Sequence, residues 1–230
     1  MDNPNGRLGE IYKGVIDSMH DFRYVSKNET APVKADLLDI IHEVQNYVRD
    51  KFTFQYEFIG SSARNMITCD IKSNIGFDFD VNLYVNDDNE EYSAEEIRRT
   101  IKKALDVVAK QHGYDYAEDS TRVLTIKFKN TRRAKVLHSC DFAIVYDCED
   151  GRQQYIRFNK DRNNYTWEYQ GKGFDLLPEK VEWLRENGLW QEVRDYYIEK
   201  KNRNANPEKH SRSIYAETIT EMCQKNGYYE

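Results

Sequence analysis

Phe77-Asp78-Phe79-Asp80-Val81, with Gly60-Ser61-Ser62 upstream of it, is the stretch whose reading decides the fold. Apolar and acidic residues alternate at the period of a β-strand. Phe77, Phe79, Val81, Leu83 and Val85 therefore share one face, and Asp78, Asp80 and Asn82 share the other. Carboxylates two residues apart on one strand face repel, and a cation between them relieves the repulsion. The small-residue turn lets backbone N–H groups approach a phosphate. Together the two pieces predict a metal and nucleotide site.

Around this stretch the pattern resolves into elements. Leu37, Leu38, Ile41, Val44 and Val48 recur at helical spacing, and the pattern predicts a helix opening at Pro32 and running to Asp50. Phe52, Phe54, Tyr56 and Phe58 alternate as a strand that ends at Gly60. Ser61 to Ile75 reads as irregular or briefly helical, with Cys69–Asn74 as a loop over the site and Asp70 as a surface residue. Ser93 and Glu96 form a capping box for a helix ending near His112, stopped by Gly113. Strands are expected at Arg122–Lys129 and Lys135–Tyr146, and Asp150-Gly151 turns the second into Gln153–Phe158. Helices are expected at Ile11–Phe22, Pro178–Asn187, Leu189–Asn202 and Ser211–Lys225. The order predicts an α+β fold: a mixed, mostly antiparallel sheet backed by helices, with a C-terminal helical part. Its expected divisions are a segment 1–32, a core 33–162 and a helical region 163–230.

A third acid on a neighbouring strand completes a cage for two metal ions. Asp141 in Ser139-Cys140-Asp141-Phe142-Ala143 is the best candidate, because an unpaired carboxylate in so apolar a strand is costly. Asp147 and Glu57 are weaker substitutes on the same argument. The simpler reading of Asp78 and Asp80 is a solvated edge-strand face, but such faces usually intersperse opposite charge. His138, Ser139 and Asp141 cannot form a catalytic triad, since neighbours on a strand alternate faces. The other histidines lack metal-ligand spacing.

This set resembles the DNA polymerase β-type nucleotidyltransferases: a GS turn after the first strand, an hDhDh strand, and a third carboxylate on a later strand. Here those are Gly60-Ser61, Phe77–Val81 and Cys140-Asp141-Phe142, and the helical C-terminal part is similar to the oligoadenylate-synthetase-like and related bacterial branches. The resemblance implies two Mg²⁺ ions, replaceable by Mn²⁺, held by Asp78, Asp80 and Asp141. It implies an NTP substrate such as ATP, with phosphates at Gly60, Ser61 and Ser62. The acceptor hydroxyl could belong to RNA, a nucleotide, a small molecule or a protein. The alternative is a non-catalytic nucleotide- or RNA-binding member, or an antitoxin or defence component on the same fold. Arg64 and Lys72 lie close enough in sequence to the turn to reach a triphosphate. Lys209 and Arg212 are the helical-region cations expected to face the cleft.

Composition narrows the class. Aromatic content of 13%, with 17 Tyr, marks a packed chain, and the net charge of −6 excludes a general nucleic-acid binder while leaving room for a local basic groove. Two basic clusters, Lys127–Lys135 and Lys200–Arg212, read first as solvated faces and second as walls for phosphates. The four cysteines form no CxxC pair, consistent with reduced thiols in a cytoplasm. No transmembrane helix or N-terminal leader is expected.

Overall fold

The computed structural model describes residues 20–87, 89–171 and 177–228. Strand β1 (Phe22–Tyr24) precedes helix α1 (Lys27–Val48), strand β2 (Thr53–Ile59) and the short helix α2 (Gly60–Ala63). Strands β3 (Thr68–Asp70) and β4 (Ile75–Asn86) lead to helix α3 (Ala94–Gln111). Then come β5 (Glu118–Asp119), β6 (Leu124–Asn130), β7 (Lys135–Asp147), β8 (Gln153–Asn159) and β9 (Asn164–Tyr169). Helices α4 (Leu177–Glu186), α5 (Trp190–Arg203) and α6 (Ser211–Lys225) close the chain. The expected helix Ile11–Phe22 lies almost wholly outside the described residues, and its last residue begins β1.

Seven strands form one mixed sheet in the order β2-β4-β7-β6-β5, with β8 and β9 continuing from the far half of β7. Only β4 and β7 run parallel, and α3 lies in the crossover between them. The expected α+β class, mixed and mostly antiparallel, is what the chain adopts. Because β9 pairs with β8 from Asn164 to Asn159 onward, the sheet extends to Tyr169, past the boundary expected at 162.

Phe79, Val81, Leu83 and Val85 are buried on one sheet face against Leu37, Ile40, Ile41 and Val44 of α1 and Ile97, Ile101, Leu105 and Val108 of α3. Burying each such side chain contributes roughly 1.5–3 kcal/mol. Arg98 of α3 is wholly buried, and its guanidinium donates to Asp119 Oδ1 (2.7 Å) and to the carbonyls of Ile156 (2.7 Å) and Ser120 (2.6 Å). A second core unites α4, α5 and α6 around Leu184, Val193, Tyr197, Ile214 and Ile219, and Met66 from the segment after α2 inserts into it.

Three expectations are corrected. Helix α1 opens at the capping box of Ser26 and Glu29, not at Pro32, which sits in the second turn. Its missing N–H leaves only the exposed Asn28 carbonyl without a helical donor, and water can satisfy it. Residues Thr68–Asp70 form no loop over the site but pair antiparallel with Phe22–Tyr24. Asp70 is accordingly not a surface residue: it is 9% exposed and accepts from the Asp21 and Lys72 amides and from His20. The four cysteines are unpaired. Among the described residues no helix is long and apolar enough to cross a membrane.

Candidate active site

The parallel pairing of β4 with β7 sets Asp80 directly opposite Asp141 and Asp78 opposite Ser139. On the far side of β7, β6 sets Thr125 opposite Asp141 and Lys127 opposite Ser139, and β2 sets Ile59 opposite Asp80. Two cross-strand rows result on the sheet face away from α1 and α3. One runs Thr125, Asp141, Asp80, Ile59, and the other Lys127, Ser139, Asp78. Gly60 follows Ile59 directly with φ +65°, and a Cβ there would run into the Asp80 carboxylate. Both the positive φ and the close approach require glycine at this turn.

The electrostatics show that the three acids share one field. Burial, then Asp141, then Asp78 push the Asp80 carboxyl up to about 6, with Arg64 opposing. Burial and Asp78 likewise push Asp141 up, against a 2.5 Å hydrogen bond from Thr125 Oγ1 and the charge of Lys127. Asp78 accepts a short hydrogen bond from Ser139 Oγ. Among the described residues no three acidic, histidine or cysteine side chains already stand at metal-ligand spacing. The donor chemistry nonetheless fits a hard divalent cation: three carboxylates on adjacent register positions, two of them held at raised pKa by burial and by neighbouring carboxylates, which a cation would oppose.

The remaining expected residues divide. Ser62 Oγ donates to the Ile59 carbonyl (2.8 Å) and the Ser61 carbonyl accepts from Met66 N (2.8 Å), so the turn is tied at both ends. Arg64 is near enough to Asp80 to oppose the rise of its pKa: its guanidinium stacks 4.3 Å from the Tyr215 ring, and its buried Nε has no hydrogen-bond partner among the described residues. Lys72 is exposed in the turn after β3. Lys209 is engaged elsewhere, pairing with Glu217 (2.7 Å) in a cluster with Lys200 and Glu221 on the α5–α6 surface. Arg212 is exposed in the first turn of α6. Of the substitutes, Glu57 accepts from Tyr84 OH (2.8 Å) and Asp147 from Gln153 (2.8 Å), both further along the strands.

Lys201 is the residue the charge pattern hid. It is 6% exposed, donates to Thr68 Oγ1 (2.7 Å), and lies 3.9 Å above the Phe22 ring. Burial pulls its ammonium down to about 8 while Asp78 and Asp70 pull the other way. The signal was available in the spacing Val193, Tyr197, Lys201, which places it on the buried face of α5.

No family model and no curated protein matches the sequence. Solved structures do match. Vibrio cholerae DncV with GTP bound superposes with a TM-score of 0.54 at 16% identity, over 86% of this chain and 52% of that one. Its 3′-deoxy GTP form gives 0.59 at 14% identity, over 85% and 66%. The DncV cyclic AMP-GMP synthase, described as a prokaryotic cGAS homolog, gives 0.58 at 13% identity, over 85% and 67%. The chain thus spans about half to two thirds of the DncV chains it matches. At these identities the likeness establishes architecture: this chain has the nucleotidyltransferase fold of DncV.

Proposed function

We propose that this chain transfers a nucleoside monophosphate from an NTP to a hydroxyl acceptor with release of pyrophosphate. The observation that carries the reading is the register of Asp80 against Asp141, with Asp78 on the same face and Gly60 against the Asp80 carboxylate. In the reaction the acceptor oxygen bonds the α-phosphorus, the bridging oxygen to the β-phosphorus leaves with pyrophosphate, and the acceptor proton is given up. Two Mg²⁺ ions, held by Asp78, Asp80 and Asp141, would neutralise the phosphates and make the acceptor hydroxyl more acidic. Asp141 would receive the acceptor proton. Thr125 and Ser139 fix the orientation of Asp141 and Asp78. Arg64, with an unpartnered Nε, supplies positive charge for the departing pyrophosphate. Gly60, lacking a Cβ, lets phosphate oxygens approach the backbone of the turn.

The acceptor is read as the 3′ hydroxyl of a second nucleotide. What favours this is that DncV has been solved both with GTP and with the linear intermediate 5′ pppA(3′,5′)pG, at a TM-score of 0.52 and 13% identity for the latter. The test is pyrophosphate release from Mg-NTP by the wild type and by Asp80→Ala. The wild type is expected to turn over, and the variant to lose at least about a hundredfold in rate while melting cooperatively. A variant with the wild-type rate, or a wild type that binds no Mg-NTP, would overturn the proposal.

A further inference from the structure

Each of the three acids has one oxygen already engaged. Thr125 Oγ1 donates to Asp141 Oδ1 (2.5 Å), and Ser139 Oγ donates to Asp78 Oδ1. Asp80 Oδ2 lies where a Cβ on Gly60 would fall, so the backbone of the turn covers that oxygen. The sheet register places both donors. Thr125 stands opposite Asp141 across β6 and β7, and Ser139 stands opposite Asp78 across β7 and β4. Lys127, next in the second row, pairs with Glu118 (2.6 Å), and the hydroxyl is what meets Asp78.

Asp78 is exposed, and water alone could satisfy its carboxylate. The Ser139 hydroxyl therefore contributes orientation there more than solvation. Ser139 itself is 6% exposed, which leaves its hydroxyl little solvent to turn to. Thr125 is β-branched, and its side-chain torsion is stiff. We propose that Thr125 and Ser139 are positioning residues that leave Asp141 and Asp78 one ligating oxygen each, and so set the site against Ca²⁺. The inference rests on the metal-dependent reading given above and names what selects the ion. Ca²⁺ gathers about six to eight oxygens at about 2.3–2.6 Å and often fills its shell with both oxygens of a carboxylate. Mg²⁺ holds an octahedral shell at about 2.0–2.1 Å, takes few carboxylate oxygens, and keeps water or phosphate in the other positions. A two-oxygen grip on Asp141 or Asp78 requires the hydroxyl proton to leave the oxygen it holds. That cost falls on Ca²⁺ and spares an ion content with one oxygen from each acid.

The test is Mn²⁺ binding to the full chain without nucleotide at pH 8, followed by the electron paramagnetic resonance signal of the free ion, with Mg²⁺ and Ca²⁺ as competitors. The wild type should prefer Mg²⁺ to Ca²⁺. In Thr125→Val/Ser139→Ala the ratio of the Ca²⁺ to the Mg²⁺ dissociation constant should fall at least about tenfold. Thr125→Val frees Asp141 alone and should fall between. It also carries the test by itself if the double variant fails to melt cooperatively, since valine matches threonine in shape. Thr125→Ser keeps the hydroxyl and should keep the wild-type ratio. An unchanged ratio in the valine variants, equal losses for both ions, or a Thr125→Ser ratio matching that of Thr125→Val would overturn the inference. Those outcomes leave the transfer reaction standing where the wild type still releases pyrophosphate. A wild type that binds none of the three ions, with or without NTP, refutes both readings.

Discussion

Asp80 is the residue where fold and chemistry pull against each other. Its folded carboxyl is pushed to about 6 by burial and by Asp141 and Asp78, above the ordinary value near 3.9. The folded state therefore holds this proton more tightly than the unfolded chain does. Stability from it is fully present below about pH 4 and is lost as pH rises through about 6, an effect on the order of 2 kcal/mol. In chelator, urea unfolding should show stability falling across that window, and Asp80→Asn should flatten the fall. An Asp80→Asn protein whose pH profile matches the wild type would show that the repulsion is absent. The acids themselves were legible because alternation along a strand is local. The partners Thr125 and Ser139 were not, since they reach Asp141 and Asp78 only through the pairing of β6, β7 and β4, and register is not written in any one segment. A charge cluster such as the one holding Lys209 gives no face, whereas the helical spacing of Lys201 does.

At the scale of elements, the α3 capping box shows what local chemistry contributes. Ser93 Oγ accepts from Glu96 N (3.2 Å), and Glu96 Oε2 accepts from Ser93 N (2.9 Å), satisfying two amides at the helix start. Ser93→Ala should cost about 1 kcal/mol and lower the melting temperature by about 2–4 °C. Pyrophosphate release measured well below that temperature should be unchanged, because α3 lies behind the sheet, opposite the acids. A variant with an unaltered melt would place the helix's stability entirely in its buried face. This cap was readable from Ser-x-x-Glu ahead of an apolar repeat. The same signal stood at Ser26 and Glu29, one turn before Pro32, and proline's preference for the first helical position masked it. Strands β1 and β3 were illegible for a different reason. Each is three residues long, and each exists through the other and through α5, where Asn202 Nδ2 donates to the Phe22 carbonyl (3.2 Å).

Across the whole molecule, the sheet core and the helical core meet at a seam crossed by several polar groups. Arg64 reaches from α2's end to Tyr215 of α6, Arg194 of α5 donates to the Asn65 carbonyl (2.5 Å), and Lys201 of α5 reaches Thr68 beside Asp78's strand. Lys201 is the most exacting of these, because its ammonium is buried with one hydroxyl and two aromatic rings as its neighbours. Its folded value near 8 lies below the ordinary lysine value near 10.4. The unfolded chain thus holds this proton more tightly, so the penalty is full below about pH 8 and vanishes as pH rises toward about 10. Lys201→Met keeps the packing and removes the charge. At pH 7 it should stabilise the fold by on the order of 2 kcal/mol, less about 1 kcal/mol for the hydroxyl of Thr68 left unpaired. The advantage over the wild type should shrink steadily between pH 8 and 10 in denaturant unfolding, and an advantage independent of pH would mean the ammonium is not the source. The same variant should bind Mg-NTP more weakly, because the positive charge facing Asp78 across the seam is gone. A group that destabilises the resting fold yet faces the acidic row is what a seam shaped for a polyphosphate would retain.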